Sequence, residues 1–358
     1  MEKTRFRVVA AMSAAVVLTV VGLVASAPTA DTNSYTVTNL VSDQTGVATH
    51  QDANLVNAWG LTALPTSPWW VADNGTNVST LYRADGSKVP LTVDVKNAPT
   101  GAVSNAGTSF KVTNGTTSAP ARFIFSTEEG TILGWNPAVS ATAAVLAVDN
   151  SGVGAVYKGL AIASTNAGNF LYATDFHNGR VDVFDGDFQP VSTVGGFADP
   201  HIPTGYAPFG IQTVAGTIVV TYAKQDADRH DDVAGQGHGL VDMFDTNGSL
   251  IVRVAQHGQL NSPWGIALAP ANFGAFSDDL LVGNFGDEQI SAFEPQSDGT
   301  FLLVGQLRTS NHKVLAINGL WALQFGNGAP NNGPTTTLFF TAGPDDESHG
   351  LFGTITGP

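Results

Sequence analysis

The sequence predicts an all-β fold, a six-bladed β-propeller with four-stranded blades, and three observations lead to this prediction. First, short apolar segments with alternating polarity end at Gly, Asn or Asp, which is the pattern of strands joined by tight turns. Second, related segments recur roughly every 30 to 50 residues, a period that suits stacked blades. Third, 40 glycines and only 13% charged residues fit many tight turns and few exposed helices.

The repeat is clearest over residues 157–188. Gly159 opens an apolar run, a second short strand ends in Asp175, and a third, alternating strand ends at Phe184. Three such strands cannot bury both of their faces alone, so copies must stack on one another. Five further segments follow the same pattern, namely residues 57–86, 99–137, 207–248, 262–299 and 318–355.

These segments resemble NHL repeats, in which a Gly-apolar strand precedes an apolar strand that ends in Asp and a third strand that ends near Phe-Asp. The copies that begin at Tyr157 and Ser262 match this pattern best. After residue 50, nearly the whole chain is also similar to a group of secreted bacterial NHL-like propeller proteins. The resemblance implies a propeller and places a ligand at the rim of its central channel.

The N-terminus has the features of an export signal. Lys3, Arg5 and Arg7 precede an apolar run over residues 8–25, and small residues follow at 25–27. The run approaches the ~20 residues that a membrane span needs, so an uncleaved anchor is the alternative. We expect a signal peptide at 1–27, a linker at 28–34 and a single propeller domain at 35–358. This organisation predicts a secreted or extracytoplasmic protein.

The final repeat lacks a clear fourth strand of its own. Residues 35–41 alternate in polarity and read as a strand. We expect this N-terminal strand to complete the last blade, because closure of that kind removes free sheet edges and ties the termini together.

Composition excludes several functions. The chain has no cysteine, so it has no disulfide, no thiolate metal site and no cysteine nucleophile. Its net charge of −15 repels nucleic-acid phosphates and anionic lipid headgroups. We therefore expect no nucleic-acid partner, and no membrane contact beyond the signal segment. The acidic field suits a cationic ligand or bound metal ions, and we expect a monomer.

Candidate functional residues lie at one rim of the predicted ring. In a propeller, the residues before each inner strand share a rim with the turns between the second and third strands. Carboxylates, amides and imidazoles at such a rim favour a hard-cation site or a polar pocket. Ordinary turn chemistry is the other interpretation, because Asp and Asn commonly end strands. The rim collects Asn57, Asp73, Asn74, Glu128, Glu129, Lys158, Asp175, His177, Asn178, Tyr222, Lys224, Asn284, Asp287, Glu288, Asn318, Asp345, Asp346, Glu347 and His349.

A second resemblance bears on the metal. Six-bladed propellers of the gluconolactonase and paraoxonase type hold a calcium ion at the channel mouth with Glu, Asn and Asp. Glu128, Asp175 and Asn284 occupy comparable rim positions, so the resemblance implies that they bind a divalent metal, with calcium favoured over a transition metal. One departure is that Asn57 stands where those enzymes have a glutamate before the first inner strand.

The segment 222–239 is longer than a simple turn between strands. The spacing of Asp226 and Asp228, then Asp231 and Asp232, resembles a calcium-binding loop in composition, although the glycine and final glutamate of an EF-hand are missing. His230 and His238 favour a transition metal instead. We expect metal ligands at Asp226, Asp228 and His230, and we keep two alternatives, a lid over the channel mouth and a solvated acidic loop.

Several aromatic residues occupy repeated positions. Trp59, Phe209, Trp264 and Trp321 lie at or near equivalent places in their inner strands, where they either pack between blades or stack on a ligand. The pair 69–70 is expected in a second strand, with one ring inward and one outward.

Three functions fit these residues. The first is a binding propeller for a polar small molecule, a polymer or a protein at the rim, with ligand-binding residues Asn57, Asp73, Asn74, Lys224, Trp264, Asn318 and His349. The second is a metal-dependent hydrolase or lactonase at the central channel, with catalytic candidates His177, Asp175, Glu128 and His238. The third is a redox enzyme or lyase that uses a histidine as metal ligand or base. Serine-elbow, P-loop and dinucleotide-binding motifs are absent from the sequence.

Overall fold

The computed structural model describes residues 32–358. The signal peptide predicted at 1–27 and residues 28–31 of the predicted linker lie outside the described residues. Within residues 32–358, no helix is long and apolar enough to cross a membrane. The helical elements of this part of the chain are short 3₁₀ turns at Asn74–Thr76, Ser151–Val153 and Gly274–Phe276.

The described chain starts with β1 (Thr36–Ser42) and β2 (His50–Gln51) and then forms its blades in order. The first blade contains β3 (Ala58–Thr62), β4 (Trp69–Asp73), β5 (Val78–Tyr82) and β6 (Lys88–Asp94). The second contains β7 (Pro99–Ser104), a side hairpin of β8 (Lys111–Thr113) and β9 (Ser118–Pro120), then β10 (Phe123–Thr127), β11 (Thr131–Trp135) and β12 (Val145–Asp149). The third contains β13 (Tyr157–Thr165), β14 (Gly168–Asp175) and β15 (Arg180–Phe184).

The second half of the ring repeats this plan. The fourth blade contains β16 (Tyr206–Val214), β17 (Thr217–Lys224), β18 (Gly239–Phe244) and β19 (Leu250–Gln256). The fifth contains β20 (Pro263–Leu268), β21 (Leu280–Asn284), β22 (Ile290–Pro295) and β23 (Phe301–Gln306). The sixth contains β24 (Leu320–Phe325), β25 (Thr337–Ala342) and β26 (Leu351–Thr356).

The six inner strands surround a common axis. Each of β3, β7, β13, β16, β20 and β24 contacts the next in this order, and β24 contacts β3 again. From each inner strand the other strands of the blade follow outward in antiparallel pairs. The predicted six-bladed β-propeller is therefore confirmed.

Strand β1 completes the last blade. It pairs antiparallel with β26, and Thr36 lies opposite Thr356. Directly after β1, the carboxylate of Asp43 accepts hydrogen bonds from His349 Nδ1 at 2.7 Å and from the backbone N–H of Gly350 at 2.9 Å. The prediction that an N-terminal strand closes the ring is confirmed, and these two bonds fix the strand's end to the sixth blade.

The third blade differs at its outer edge. After β15, Pro190 makes a single bridge to Phe184, and the N–H of Val191 donates to the carbonyl of Val183 at 2.9 Å. Proline has no N–H for a ladder, so a regular fourth strand does not continue there. A surface cavity of about 550 Å³ lies along this edge.

Both faces of a blade are covered by neighbouring blades. Trp69 packs on Phe339 of the sixth blade, with ring centroids 4.8 Å apart. The next residue, Trp70, stacks on Phe123 of the second blade at 3.9 Å. The two rings lie on opposite faces, as their alternation predicts, but both are buried because each face meets another blade.

Adjacent inner strands approach closely at one repeated position. A Cβ atom on Gly210 would lie 2.2 Å from the carbonyl oxygen of Trp264 in the next blade. At Gly101 it would lie 2.3 Å from the backbone nitrogen of Leu160. The same close approach occurs at Gly60, Gly159 and Gly265. The glycine at this position in the first five blades is therefore needed because the backbones of neighbouring blades touch.

We predict that Gly210→Ala lowers the free energy of unfolding by about 1–3 kcal/mol, because the added methyl group must push two backbones apart. The matched control is Gly152→Ala, since a Cβ at Gly152 meets nothing within 4 Å and its φ is not positive. Thermal melts of both variants check the prediction. An equal Tm for the two variants would contradict the packing argument.

Candidate functional site

One residue of each inner strand belongs to a ring around the axis. These axial residues directly precede the close-packed glycine, or Ala322 in the sixth blade, and they are Trp59, Thr100, Lys158, Phe209, Trp264 and Trp321. The register of the inner strand shifts at or beside this position in every blade. Because a β-bulge re-aims a side chain, these irregularities direct the axial residues toward one another.

The aromatic residues close the channel at this level. Trp59 stacks on Trp321 with ring centroids 3.5 Å apart, and Phe285 also stacks on Trp321 at 4.0 Å. Trp264 and Phe209 make edge-to-face contacts with Trp59 at 5.9 Å and 6.4 Å. We call these five residues the aromatic floor. Their rings pack against one another across the axis, so ring-to-ring packing accounts for the repeated aromatic positions.

Lys158 is the charged member of the axial ring. Its side chain is only 2% exposed, and its Nζ lies 5.3 Å from the centroid of the Trp59 ring. The ammonium donates hydrogen bonds to Glu128 Oε1 and, at 3.0 Å, to Asp231 Oδ1. Burial alone would lower the pKa of Lys158, but the carboxylates of Glu128 and Asp231 outweigh it and raise that pKa. The ammonium is therefore charged and fully paired.

A chain of amide groups links this ion pair to the rest of the rim. Asn57 Nδ2 donates to Asn74 Oδ1 at 3.2 Å and to Glu347 Oε2 at 2.5 Å. Asn74 Nδ2 donates to Glu128 Oε2 at 2.8 Å. Trp321 Nε1 donates to Asn57 Oδ1 at 3.1 Å, which joins the network to the aromatic floor. The mouth cluster is defined as Asn57, Asn74, Glu128, Lys158, Asp231 and Glu347.

Glu347 reaches the mouth cluster from a strained turn. Asp345, Asp346 and Glu347 have φ values of 54°, 53° and 65°, which is left-handed backbone that favours glycine. Such strain concentrates at functional sites. Burial is the main cause that raises the pKa of Glu347, while the hydrogen bond from Asn57 opposes it and the negative charge of Glu128 adds to it.

Three side chains of this region could hold a metal ion. Glu128, His230 and Asp231 each offer one ligand atom, and these atoms lie within 4.8 Å of one another. His230 Nδ1 lies 3.0 Å from Asp231 Oδ1. Burial would raise the pKa of Asp231, but Lys158 and His230 hold it below its usual value, so this carboxylate carries a negative charge.

The long segment between β17 and β18 brings two of these groups to the mouth. The first part of the segment folds back on itself, since the N–H of Val233 donates to the carbonyl of Lys224 at 2.8 Å. Farther along, the N–H of Gly235 donates to Asn261 Oδ1 at 2.6 Å. Asp226 accepts the N–H of His230 at 2.9 Å and thereby fixes the turn before Asp231. The segment is a hydrogen-bonded loop that reaches across to the third blade.

The structure brings together part of the predicted set. Asn57, Asn74, Glu128 and His230 meet at the mouth, and Trp264 belongs to the aromatic floor beside them. The sequence predicted Lys158 and Glu347 at the rim and Asp231 in the acidic insertion, but without a metal-binding, catalytic or ligand-binding role for any of the three. The sequence indicates an axial position for Lys158, since this residue aligns with the aromatic residues before the repeated glycine. Asp231 neighbours a predicted ligand, whereas the left-handed turn of Glu347 has no local sequence signature.

Other predicted residues hold turns together. Buried Asp73 accepts the N–H of Thr80 at 2.9 Å. Buried Asp175 accepts the N–H of Val156 at 3.2 Å, and burial raises its pKa. Asn284 Nδ2 donates to the carbonyl of Gln259 at 2.7 Å. Each of these contacts links the end of a second strand to a nearby segment of the rim.

The remaining candidates lie around the mouth cluster. His349 pairs with Asp43 at the ring closure, and Asn318 donates to Glu288. His238 Nδ1 lies 2.8 Å from the carbonyl oxygen of Val233 inside the insertion. Within residues 32–358, no hydrogen bond or ion pair joins His177, Lys224 or Asp228 to the mouth cluster.

Comparison with solved structures supports the architecture. A protein from Bacteroides thetaiotaomicron matches with a TM-score of 0.56 at 11% identity, over 90% of this chain and 76% of that chain. Virginiamycin B lyase from Staphylococcus aureus, solved as an inactive variant with quinupristin, matches with a TM-score of 0.51 at 12% identity, over 90% and 98%. A gluconolactonase from Xanthomonas campestris matches with a TM-score of 0.42 at 17% identity, over 66% and 83%. At such identities the comparison concerns the fold alone.

Sequence comparison gives closer relatives. No known protein-family profile matches the chain. "Uncharacterized protein R648" of Acanthamoeba polyphaga mimivirus is 31% identical over 334 residues, which cover 90% of this chain and 80% of that protein. "Uncharacterized protein L690" of the same virus is 31% identical over 334 residues, which cover 90% and 86%. The chain therefore belongs to the same protein family as these two mimivirus proteins.

Proposed function

We propose that this propeller binds a polar ligand at the mouth of its closed channel, with a divalent metal ion as part of the site. One observation carries the proposal. Glu128 from the second blade and His230 and Asp231 from the insertion offer three ligand atoms within 4.8 Å of one another. These groups come from distant parts of the sequence, so ordinary turn chemistry does not explain their meeting.

The donor set indicates the kind of metal. Calcium prefers oxygen ligands alone, whereas imidazole suits zinc and other transition metals. Because His230 supplies an imidazole beside two carboxylates, the donor set favours a transition metal such as zinc or manganese. The sequence favours calcium instead, because it predicts Asp175 and Asn284 as ligands together with Glu128. Those two residues are buried in contacts with nearby segments, and the imidazole of His230 lies near Glu128.

The chemistry of the mouth limits the ligand. The mouth cluster presents carboxylates and amides, and the chain carries a net charge of −15, so polyanions are disfavoured. A small molecule rich in hydroxyl or amino groups, a neutral polymer or a basic protein segment fits this surface. Export is part of the same proposal and is supported by the basic and apolar residues at positions 3–25.

A second candidate is a metal-dependent hydrolase, and Glu347 favours it. A partly buried carboxyl group whose pKa is raised can act as a general acid. Glu347 lies on a strained turn and accepts a hydrogen bond from Asn57, which holds the group in place at the mouth. The metal would supply electrophilic assistance, and Glu347 would supply or accept the proton.

We predict one tightly bound transition metal per chain, and at least about 10-fold weaker binding in His230→Ala, because one of three ligands is lost. Calorimetric titration of the metal-free protein with zinc, manganese and calcium checks this. His201→Ala is the matched control, since His201 is an exposed histidine that pairs with Asp199 in the connector after the third blade. Equal affinities in both variants, or no stoichiometric binding, would rule out the proposed site.

For the hydrolase candidate, we predict that Glu347→Gln lowers kcat on a lactone or ester substrate by about 10²–10⁴-fold with little change in Tm. The amide still accepts the hydrogen bond from Asn57 but cannot donate a proton as an acid does. Glu294→Gln, at an exposed position on β22, is the control. A panel of lactones and esters turned over equally by both variants would show that Glu347 is not the acid.

A further inference from the structure

The position of Lys158 in the axial ring bears on how the metal site works. Four of the six axial residues are aromatic and one is a threonine, so Lys158 alone places a charge beside the aromatic floor. Its side chain is 2% exposed, and a buried ammonium is costly unless it is paired. The charge therefore needs an explanation beyond packing.

The partners of this ammonium are two of the three proposed metal ligands. Lys158 Nζ donates to Glu128 Oε1 and, at 3.0 Å, to Asp231 Oδ1. Both carboxylates also belong to the group whose ligand atoms lie within 4.8 Å of one another. A metal ion bound to the same two carboxylates would lie close to the ammonium, and two like charges in a low-dielectric environment repel strongly.

The backbone of Lys158 is held on both sides. Its carbonyl oxygen accepts a hydrogen bond from Trp264 Nε1 at 3.0 Å. The next residue, Gly159, is pressed against the fourth blade, since a Cβ there would lie 2.9 Å from the carbonyl oxygen of Phe209. These contacts hold the backbone of Lys158 at the mouth, so a metal that binds there must displace its side chain from the two carboxylates.

We infer that Lys158 is an internal cation that competes with the metal for Glu128 and Asp231 and so sets the affinity and selectivity of the site. This inference rests on the proposed metal site. Without metal, the ammonium offsets one of the two negative charges and keeps both carboxylates in place. A cation must coordinate strongly enough to take these carboxylates from the ammonium, so weakly coordinating ions such as calcium are excluded more than zinc or manganese.

The test compares metal binding by the wild type with binding by Lys158→Met and Lys158→Gln. We expect both variants to bind calcium about 10- to 100-fold more tightly, with smaller gains for manganese and zinc, because the competing charge is gone. Lys88→Met is the matched control, since Lys88 pairs with Asp52 at 2.6 Å away from the mouth. Its metal affinities should equal those of the wild type.

The outcomes separate the two proposals. If neither the wild type nor any variant binds a metal at the mouth, the proposed site itself is wrong. If the wild type binds and the Lys158 variants bind equally or more weakly, the metal site stands and the competition is wrong. A second experiment uses only the wild-type protein and so does not depend on whether the Lys158 variants fold. In protein labelled with ¹³C-lysine, zinc should shift the Cε signal of the buried lysine, and an unshifted signal in zinc-saturated protein would overturn the inference.

Discussion

The close contact between neighbouring inner strands is the constraint on which the rest of the structure depends. Where Gly210 meets the carbonyl group of Trp264, a Cβ atom has no room, so the backbones themselves touch and the inner strands lie as close to one another as they can. The irregular register at the same place turns the preceding residue, Phe209, toward the axis. Repeated around the ring, this arrangement crowds the axial side chains together, and four aromatic rings fill the space between them.

The filled axis explains why the polar residues collect at the mouth. Lys158 brings a positive charge to the edge of the aromatic floor, where water is scarce and an unpaired ammonium would be unstable. Glu128 lies in the neighbouring blade, but Asp231 comes from a segment much longer than a turn needs. The buried charge of Lys158 therefore accounts for the length of the insertion, because only a long loop carries a carboxylate across to the third blade.

Local pattern was enough to predict the blades, their number and the closing strand, because period-two alternation and the repeated glycine report backbone geometry directly. It was not enough for the site. Asp175 and Asn284 share the residue types of metal ligands, yet they bond to nearby rim segments. The axial position of Lys158 could be predicted, since it aligns with Trp59 and Phe209. Its hydrogen-bond partners could not, because they depend on how the loops fold. Glu347 depends on a left-handed turn that no sequence rule predicts.

The two ends of the axis differ in charge, and this difference bears on how a ligand approaches. Beyond the aromatic floor, a cavity of about 130 Å³ is lined by uncharged residues that include Gln212 and Gln324. At the mouth, the side chain of Asp231 is 64% exposed while that of Lys158 is 2% exposed. A metal held there would have the ammonium on its protein side and solvent on the other. The proposed site would therefore be accessible to ligands that are too large to enter a propeller channel, including polymers and protein segments.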